Sequence, residues 1–232
     1  KLKKEKKEKE KQKNTKKKII ANISHEVKTP LTIISGYSQL MLSEAKDEEN
    51  KKSLNVMISE SERLSNLVHE FLEISKLESG NIKLNKEKVD INTLIKDEIE
   101  KLDVDIKNKR LNIKLDLCKD GNLIVDKKEF TKVVENLLTN AIKFTKGDKR
   151  IVIKTYVKNE YFYYEVYNSG DNINESDLKN IFNSYYKDKS TRNKKGTGLG
   201  LTIVKVVVDL HDGECFVKNT SDGIKFIIKI KK

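Results

Sequence analysis

Helix-breaking residues are scarce in the first part of this chain. Among 232 residues proline occurs once, as Pro30, and no glycine precedes Gly36. Proline and glycine are the residues that most strongly disfavour helix interiors. Their scarcity therefore predicts that most of the first eighty residues are helical.

Cysteine is rare, and long apolar runs are absent. The two cysteines, Cys118 and Cys215, do not have the spacing of a metal site, so we expect reduced thiols. No segment approaches the roughly 20 apolar residues of a membrane span, and no secretory signal is visible. The sequence therefore predicts a soluble, cytoplasmic piece, and its abrupt charged start suggests that it belongs to a longer protein.

Positive charge is concentrated at the start of the chain. The formal net charge is +12, and residues 1–18 contain eleven Lys and three Glu, so this leader contributes +8. A Lys- and Glu-rich leader fits a solvated helix or linker best, although a nucleic-acid-binding arm or a contact with an anionic membrane leaflet has the same composition. Because the other residues carry only +4, we expect no nucleic-acid partner.

Apolar residues of the first eighty positions recur in alternating steps of three and four, the spacing of a helical-bundle seam. A second helix is predicted from about Ser53, and the polar residues 46–50 connect it to the first. Two such helices cannot bury their seams alone, so we predict a hairpin that dimerises into a four-helix bundle. The two series are Ile20, Ile23, Val27, Pro30, Ile34, Tyr37, Met41 and Met57, Ser61, Leu64, Val68, Phe71, Ser75.

After Ser79-Gly80-Asn81 the pattern changes to alternating helices and strands. A strand and linker are predicted over 81–89. This order favours an α/β sandwich, in which a mixed sheet is covered on one face by helices. The predicted helices cover 91–107, 126–143 and 202–210, and the predicted strands cover 111–117, 151–157, 161–167, 215–218 and 225–230.

His25 is the first residue that suggests chemistry. Heptad counting places it opposite the seam of the first helix, where solvent can reach the imidazole. Glu26 can orient the imidazole or take its proton, and Thr29 lies one turn further along the same face. Pro30 is expected to bend the helix just beyond it. Although most lone helical histidines are structural, these neighbours favour a reactive role for His25.

Asn136, Asn140 and Lys143 form a second candidate site. Spacings of four and three place them on one face of the predicted helix over 126–143. Amphipathic helices seldom align two amides and an ammonium group without a reason. Asn oxygens suit Mg²⁺, which prefers oxygen ligands, and a Lys supplies a point charge for phosphate.

Glycines gather just before the last predicted helix, in Gly196-Thr197-Gly198-Leu199-Gly200-Leu201. Glycines let backbone amides approach phosphate, and a helix N-terminus favours anions. A glycine-rich turn is a weak signal by itself. The polar residues 189–195 before it would serve as a mobile lid over a nucleotide.

Three of these segments together resemble motifs of the sensor histidine kinases of two-component systems. The stretch from Ile23 to Thr32 resembles the H box, residues 135–145 resemble the N box, and residues 196–201 resemble the G2 box, in the family's order. The resemblance covers about residues 19–230. It implies a dimerisation and histidine phosphotransfer domain followed by an ATP-binding domain that requires Mg²⁺.

The resemblance also implies roles for particular residues. His25 would accept the phosphoryl group, Glu26 would act as general base, and Thr29 would support dephosphorylation of the partner. Asn140 would bind Mg²⁺, with Asn136 and Lys143 near the metal and the phosphates. The nucleotide site would be completed by Gly196, Thr197, Gly198, Leu199 and Gly200.

Aromatic residues and two further histidines are less diagnostic. Phe182, Tyr185 and Tyr186 resemble the F box, but plain core packing explains them equally well. His69 is predicted to be an exposed surface residue. His211 matches a family position, yet a structural role is the favoured interpretation.

The resemblance is weakest at the G1 box, where the family has Asp-x-Gly-x-Gly. This chain has Asn168-Ser169-Gly170-Asp171-Asn172, so Asn168 replaces the Asp that would receive the adenine amino group. An Asn oxygen still accepts a hydrogen bond, without the strength of a carboxylate. Asn172 replaces the second glycine, and Asn tolerates left-handed backbone better than most residues. We therefore expect Asn168 and Gly170 to contact nucleotide that is bound more weakly.

The main hypothesis is a histidine kinase core that autophosphorylates His25 from Mg-ATP. It would pass the group to an Asp of a response-regulator receiver domain, with a phosphatase activity as an additional expectation. Its expected parts are a basic leader over 1–18, a dimerisation and phosphotransfer domain over 19–80, a linker over 81–87 and an ATP-binding domain over 88–232. We expect a homodimer that forms the cytoplasmic portion of a membrane-anchored protein.

Two alternatives stay open. A catalytically weak or inactive signalling scaffold would keep the fold and the dimer, as the Asn168 and Asn172 departures allow. An ATPase of the chaperone or mismatch-repair type would share the nucleotide fold. Such ATPases lack an H box on a preceding helical hairpin, so residues 20–37 count against this class.

Overall fold

The computed structural model describes residues 27–78, 83–183 and 198–232, without the side chains of residues 76–78. These residues form two compact units. One comprises residues 27–78 with Gly198 and Leu199, and the other comprises residues 83–183 and 200–232. The domain boundaries at 18, 80 and 87 stay predictions.

Two helices make up the first unit. Helix α1 is described from residue 27 to residue 44, and α2 spans Glu48–Glu78. The prediction that α2 begins at about Ser53 is therefore wrong, and so is most of the predicted connection over 46–50. Asp47 Oδ2 accepts a hydrogen bond from the Asn50 backbone N–H at 3.1 Å, which caps one of the free amides of the first turn. This cap starts the helix early.

The apolar residues of the hairpin divide between two faces. One face is buried and contains Leu31, Ser38, Leu54, Ser61 and Ile74. The other is at least 39% exposed and contains Ile34, Tyr37, Met41, Met57, Leu64 and Phe71. The predicted α2 series thus mixes residues of the two faces. The two faces adjoin on the helix, so in the sequence they form one broad apolar stripe that spacing alone does not divide.

The second unit contains two sheets. Strand β1 (Lys86–Asp90) pairs antiparallel with β3 (Asn122–Asp126) in a two-stranded sheet. The strand predicted within 81–89 corresponds to β1, whereas β3 was not predicted. The larger sheet has the strand order β2-β4-β5-β7-β6, in which only the β2–β4 pair is parallel. Its strands are β2 (Asn112–Asp116), β4 (Arg150–Lys158), β5 (Tyr161–Ser169), β6 (Glu214–Asn219) and β7 (Gly223–Lys231).

Five helices accompany the sheets within the described part of this unit. They are α3 (Ile91–Lys101), α4 (Asp103–Lys109), α5 (Lys127–Phe144), α6 (Glu175–Leu178) and α7 (Gly200–Leu210). The prediction of one helix over 91–107 is wrong, because Leu102 leaves helical geometry at φ −96° and ψ 6°. The apolar face of α3 is buried, whereas α4 buries no residue, so the chain turns where its packing surface ends.

Alternation along the strands separates a core face from an outer face of the larger sheet. Core-facing residues such as Ile153, Phe162, Val166 and Ile228 are almost fully buried. Helices α5 and α7 contribute Phe130, Val133, Leu137, Val204 and Val207, all fully buried. The mixed sheet with helices on one side confirms the predicted α/β sandwich, which follows a helical N-terminal unit.

His211 is structural, as predicted. Its ring is buried, Nδ1 lies 2.8 Å from the Val207 carbonyl oxygen, and Nε2 accepts the Asp126 backbone N–H at 3.0 Å. Burial lowers the pKa of His211, because an imidazolium would lose hydration. His69 on α2 is exposed, as predicted.

The two cysteines are free and half-buried. Burial raises the pKa of the Cys215 thiol to about 11, so the thiolate is disfavoured. Of the helices in the described ranges, none has the length and apolar content that crossing a membrane requires.

Candidate functional site

The polar face of α5 forms the centre of the candidate site. Asp126 caps the helix, because its Oδ1 accepts the Glu129 backbone N–H at 3.0 Å. The opposite face of α5 is buried in the core. That packing leaves Asn136, Asn140 and Lys143 half-buried along one side of the helix, as their spacing predicts.

Asn136 lies directly against the first residue of α7. A Cβ added at Gly200 would lie 2.4 Å from Asn136 Oδ1, so only glycine fits this approach without a shift. The orientation of the Asn136 amide is held by a hydrogen bond from its Nδ2 to the Lys132 carbonyl, one turn earlier in α5, at 2.8 Å. The structure thus brings the N-terminus of α7, with its free amides and positive dipole end, to the polar face of α5.

Gly170 lies at the other end of the same face. Its φ of +147° is in the region that favours glycine, and an added Cβ would lie 2.9 Å from the Phe144 carbonyl oxygen. Phe144 is the last residue of α5. The two glycines therefore contact α5 at Asn136 and at Phe144, which are eight residues and about 12 Å apart along the helix axis. Asn140 and Lys143 lie between these two contacts.

Asn140 makes no side-chain hydrogen bond within the ranges that the structure describes. Its half-buried amide oxygen is therefore available to a ligand. Lys143 Nζ lies 4.9 Å from the centroid of the Phe144 ring. An amide oxygen next to an ammonium group fits a bound anion and its counter-cation, because the two supply opposite partial charges within one helical turn.

Asn168 is placed at the end of β5 and is 2% exposed. Its Nδ2 donates to the Ser169 carbonyl at 3.3 Å, so the donor side of the amide is engaged by the protein. Its backbone pairs with Ile151 on β4 and Ile224 on β7. An amide can occupy this position without the desolvation cost of a buried carboxylate.

The loop after Gly170 is held mainly by residues of the β6–β7 turn, which the sequence did not single out. Asn219 accepts the Ile173 backbone N–H at 3.0 Å and donates to the Ile173 carbonyl at 2.6 Å. Asn172 Nδ2 donates to the Thr220 carbonyl at 3.0 Å, and the Gly170 N–H donates to the Asp222 carbonyl at 3.0 Å. The run from Asn219 to Gly223 has the composition of a hairpin turn, but no local signal shows which loop such a turn would hold.

Several predicted site residues lie outside the described residues, namely His25, Glu26, Gly196, Thr197, Tyr185 and Tyr186. Thr29 is exposed on α1. Gly198 has a φ of +81° and Leu199 is fully buried. The Phe182 ring packs edge-on against Phe226, with centroids 6.5 Å apart, which supports the core-packing interpretation of this residue.

Three or more His, Cys, Asp or Glu side chains do not cluster at any point within the described ranges. A cation at this site would therefore depend on the Asn140 oxygen, on phosphate oxygens of a nucleotide and on water. Mg²⁺ is commonly held in that way, with few protein ligands and several waters.

The fold and the site together define a nucleotide-binding α/β sandwich that follows a helical hairpin. Residues 125–232 match the family described as histidine kinase-, DNA gyrase B- and HSP90-like ATPase. Residues 15–80 match the His Kinase A (phospho-acceptor) domain. The chain belongs to the protein-histidine kinases.

Relatives and solved structures agree with this family. Sensor protein SrrB of Staphylococcus aureus (strain MRSA252) is 33% identical over 94% of this chain, and the chain spans 38% of that protein's length. Histidine kinase ThkA, solved in complex with the response regulator protein TrrA, has a TM-score of 0.70 and 27% identity, covering 98% of this chain and 66% of that one.

Full-length ShkA in complex with AMPPNP has a TM-score of 0.75 at 22% identity, covering 92% of this chain and 45% of that one. Acinetobacter baumannii histidine kinase AdeS has a TM-score of 0.65 at 24% identity, covering 89% of this chain and 97% of that one. Both similarities concern the fold.

Proposed function

We propose that this chain binds Mg-ATP between α5 and the N-terminus of α7 and transfers the γ-phosphoryl group to His25. The observation that carries the proposal is the polar face of α5, where Asn140 and Lys143 lie between two glycine contacts, Gly170 and Gly200. The two contacts lie roughly 12 Å apart along the helix axis, which leaves room for a phosphate chain between them. The AMPPNP bound to ShkA, a protein of the same fold, supports a nucleotide as the ligand.

The division of labour follows from the side chains. Asn140 would hold Mg²⁺ through its oxygen, and the ion would neutralise phosphate charge. Lys143 and the free amides of α7, beginning at Gly200, would bind phosphate oxygens. Asn168 would accept from the base with its oxygen, since its donor is engaged by Ser169. Gly196, Thr197, Gly198 and Leu199 would complete the phosphate-binding turn.

Phosphoryl transfer needs positioning more than covalent chemistry from the protein, because its transition state is loose and its charge is dispersed. Glu26 would take the imidazole proton or orient the ring so that a nitrogen lone pair faces the phosphorus. The Nε2 or Nδ1 atom of His25 forms the new P–N bond as the bond to ADP breaks. Thr29, exposed one turn further on α1, would position a water that hydrolyses the phosphoryl–Asp bond of a partner and releases inorganic phosphate.

We also propose the partners and the context. The exposed apolar face of the hairpin supports a homodimer with a four-helix bundle, and the ThkA–TrrA complex supports a response-regulator receiver domain as the phosphoryl acceptor. The proposed parts are the leader over 1–18, the phosphotransfer domain over 19–80, the linker over 81–87 and the ATP-binding domain over 88–232. The full-length protein would be a membrane-anchored sensor with this region in the cytoplasm.

The test is incubation with γ-labelled ATP and Mg²⁺, followed by acid and alkali treatment of the labelled protein. Label on His25 is lost in acid and survives alkali, and His25→Ala should abolish it. Asn140→Ala should reduce labelling at least tenfold, while Asn112→Ala, an exposed amide on the edge strand β2, should leave it unchanged. Undiminished acid-labile label in His25→Ala would refute the assignment.

A signalling scaffold is the second candidate, and the buried Asn168 amide favours it. A neutral amide binds the adenine amino group less strongly than a carboxylate does. Calorimetric titration with ATP in the presence of Mg²⁺ separates the two functions. Binding that is strengthened by Asn168→Asp supports a weakened kinase, whereas no detectable heat with either protein supports the scaffold.

A further inference from the structure

The outer face of the larger sheet, opposite the helices, carries chemistry that the kinase proposal does not use. Outward positions alternate along each strand, and the register places them in rows across β2, β4, β5, β7 and β6. These positions hold five aromatic residues, Tyr156, Tyr161, Tyr163, Tyr167 and Phe216. Within the second unit, α5 and α7 pack against the core face, and Phe216 on the outer face is 40% exposed.

The same rows are strongly basic. Their outward positions carry eight basic side chains, namely Lys114, Arg150, Lys154, Lys158, Lys218, Lys225, Lys229 and Lys231, against the three acids Asp116, Glu165 and Glu214. Asp222 in the β6–β7 turn adds a fourth acid, which pairs with Arg150 at 2.5 Å. The net charge of +4 on this face equals the net charge of all residues after the leader.

A groove of about 460 Å³ crosses this face above β7. Ile227 and Glu165 form its floor, Tyr163 and Tyr156 form one wall, and Phe216 forms the other. The two tyrosine rings stack on each other with centroids 4.8 Å apart and 5° between planes, which makes that wall rigid. An apolar side chain of moderate size fits between such walls.

The lysines at one end of the groove are not balanced. Lys218 and Lys225 lie directly opposite each other on adjacent strands, an arrangement of like charges that destabilises a sheet. Glu165 is the carboxylate at this place, and it is already engaged by Lys225 at 3.1 Å and by the Tyr156 hydroxyl at 2.9 Å. Lys218 has no ion-pair partner among the described residues, so a carboxylate from outside would relieve the repulsion.

These observations decide between possible occupants. The leader of this chain and a second copy of the same face are both basic, so charge repulsion disfavours them. Nucleic acid is disfavoured because the tyrosine rings already stack on each other and because the floor carries the Glu165 carboxylate. Neither argument excludes an acidic polypeptide, because its charge is opposite to that of this face and it does not need to stack a base on the tyrosine rings.

We propose that the outer face of this sheet is a docking surface for an acidic protein partner, which inserts an apolar side chain between Phe216 and Tyr163 and places a flanking carboxylate on Lys218. The surface lies within the second unit and does not involve His25 or the polar face of α5. Docking is therefore a separate property from phosphoryl transfer, and it gives a partner a means to hold the ATP-binding unit without contacting the nucleotide.

The test uses the full chain and a fluorescein-labelled ten-residue peptide with one central Phe flanked by Glu residues, read by fluorescence anisotropy. We expect saturable binding that Lys218→Glu and Phe216→Ser each weaken about tenfold. Lys88→Glu is the matched control, since Lys88 is exposed on β1 in the other sheet and the charge change is the same. His25→Ala should bind as the wild type does.

Several results would contradict the docking proposal. Failure of the peptide to bind, equal loss with Lys88→Glu, or unchanged affinity in Phe216→Ser would each overturn the proposal. So would tighter binding of a ten-nucleotide oligo-dT, or of vesicles containing anionic phosphatidylglycerol, when that binding is lost in Lys218→Glu. Circular dichroism and urea unfolding of each variant must match the wild type, and Phe216→Tyr should retain binding if Phe216→Ser fails to fold.

Discussion

Replacing Gly200 with Ala tests the contact on which the candidate site depends most directly. The added Cβ would lie 2.4 Å from Asn136 Oδ1, about 1 Å closer than an ordinary contact of roughly 3.5 Å. The Asn136 amide cannot swing away freely, because its Nδ2 donates to the Lys132 carbonyl at 2.8 Å. Gly200→Ala therefore forces the amide to rotate and give up that hydrogen bond.

The magnitude follows from three contributions. Loss of the hydrogen bond costs about 0.5–1.5 kcal/mol, and an off-rotamer side chain costs about 0.5–1.5 kcal/mol. Ala in place of Gly in a helix returns about 0.5–1 kcal/mol. We expect Gly200→Ala to lower the free energy of unfolding by about 1 kcal/mol. In an Asn136→Ala background the clash is absent, so Gly200→Ala should raise it by about 0.5–1 kcal/mol.

The assay is a double-mutant cycle with the wild type, both single variants and the double variant, unfolded in urea. Tyrosine fluorescence is a suitable signal, because the chain has no tryptophan and seven of its eight tyrosines lie between residues 156 and 186. The expected coupling energy is about 2 kcal/mol. Additivity to within about 0.5 kcal/mol would show that residues 136 and 200 are not in contact, and the site geometry would be wrong.

Three further predictions address the core and the assembly. Burial lowers the pKa of His211, so below about pH 6.5 its imidazole binds a proton more readily in the unfolded chain than in the folded protein. The free energy of unfolding should therefore fall with decreasing pH. Urea midpoints at pH 7.5 and 5.5 should differ more in the wild type than in His211→Gln. Gly223→Ala would bring a Cβ within 2.1 Å of the Asn168 carbonyl oxygen, so we expect a loss of more than about 3 kcal/mol in thermal unfolding. Gly36→Ala, with no atom within 4 Å, is its control and should not destabilise. Leu64→Glu on the exposed hairpin face should convert a dimer to a 26.8 kDa monomer in light scattering, and an unchanged mass would contradict the dimer.

Local patterns in the sequence were sufficient for the features that depend on neighbouring residues. The α5 face of Asn136, Asn140 and Lys143 follows from helical spacing alone, and the strand positions of the larger sheet follow from alternation. The errors were local as well. The Asp47 cap was overlooked, and the turn at Leu102 could not be seen, because the apolar content of residues 91–107 fits one helix as well as two.

The sequence by itself determined that the chain has a helical hairpin, an α/β unit and a polar helical face, since each depends on spacing within one segment. The tertiary structure decided which segments meet. Gly200 and Gly170 reach α5 only because the core packs as a whole, and Glu165 lies beside Lys225 only because β5 and β7, which are distant in sequence, pair in one register. That register depends on the packing of the whole core, so no single segment encodes it.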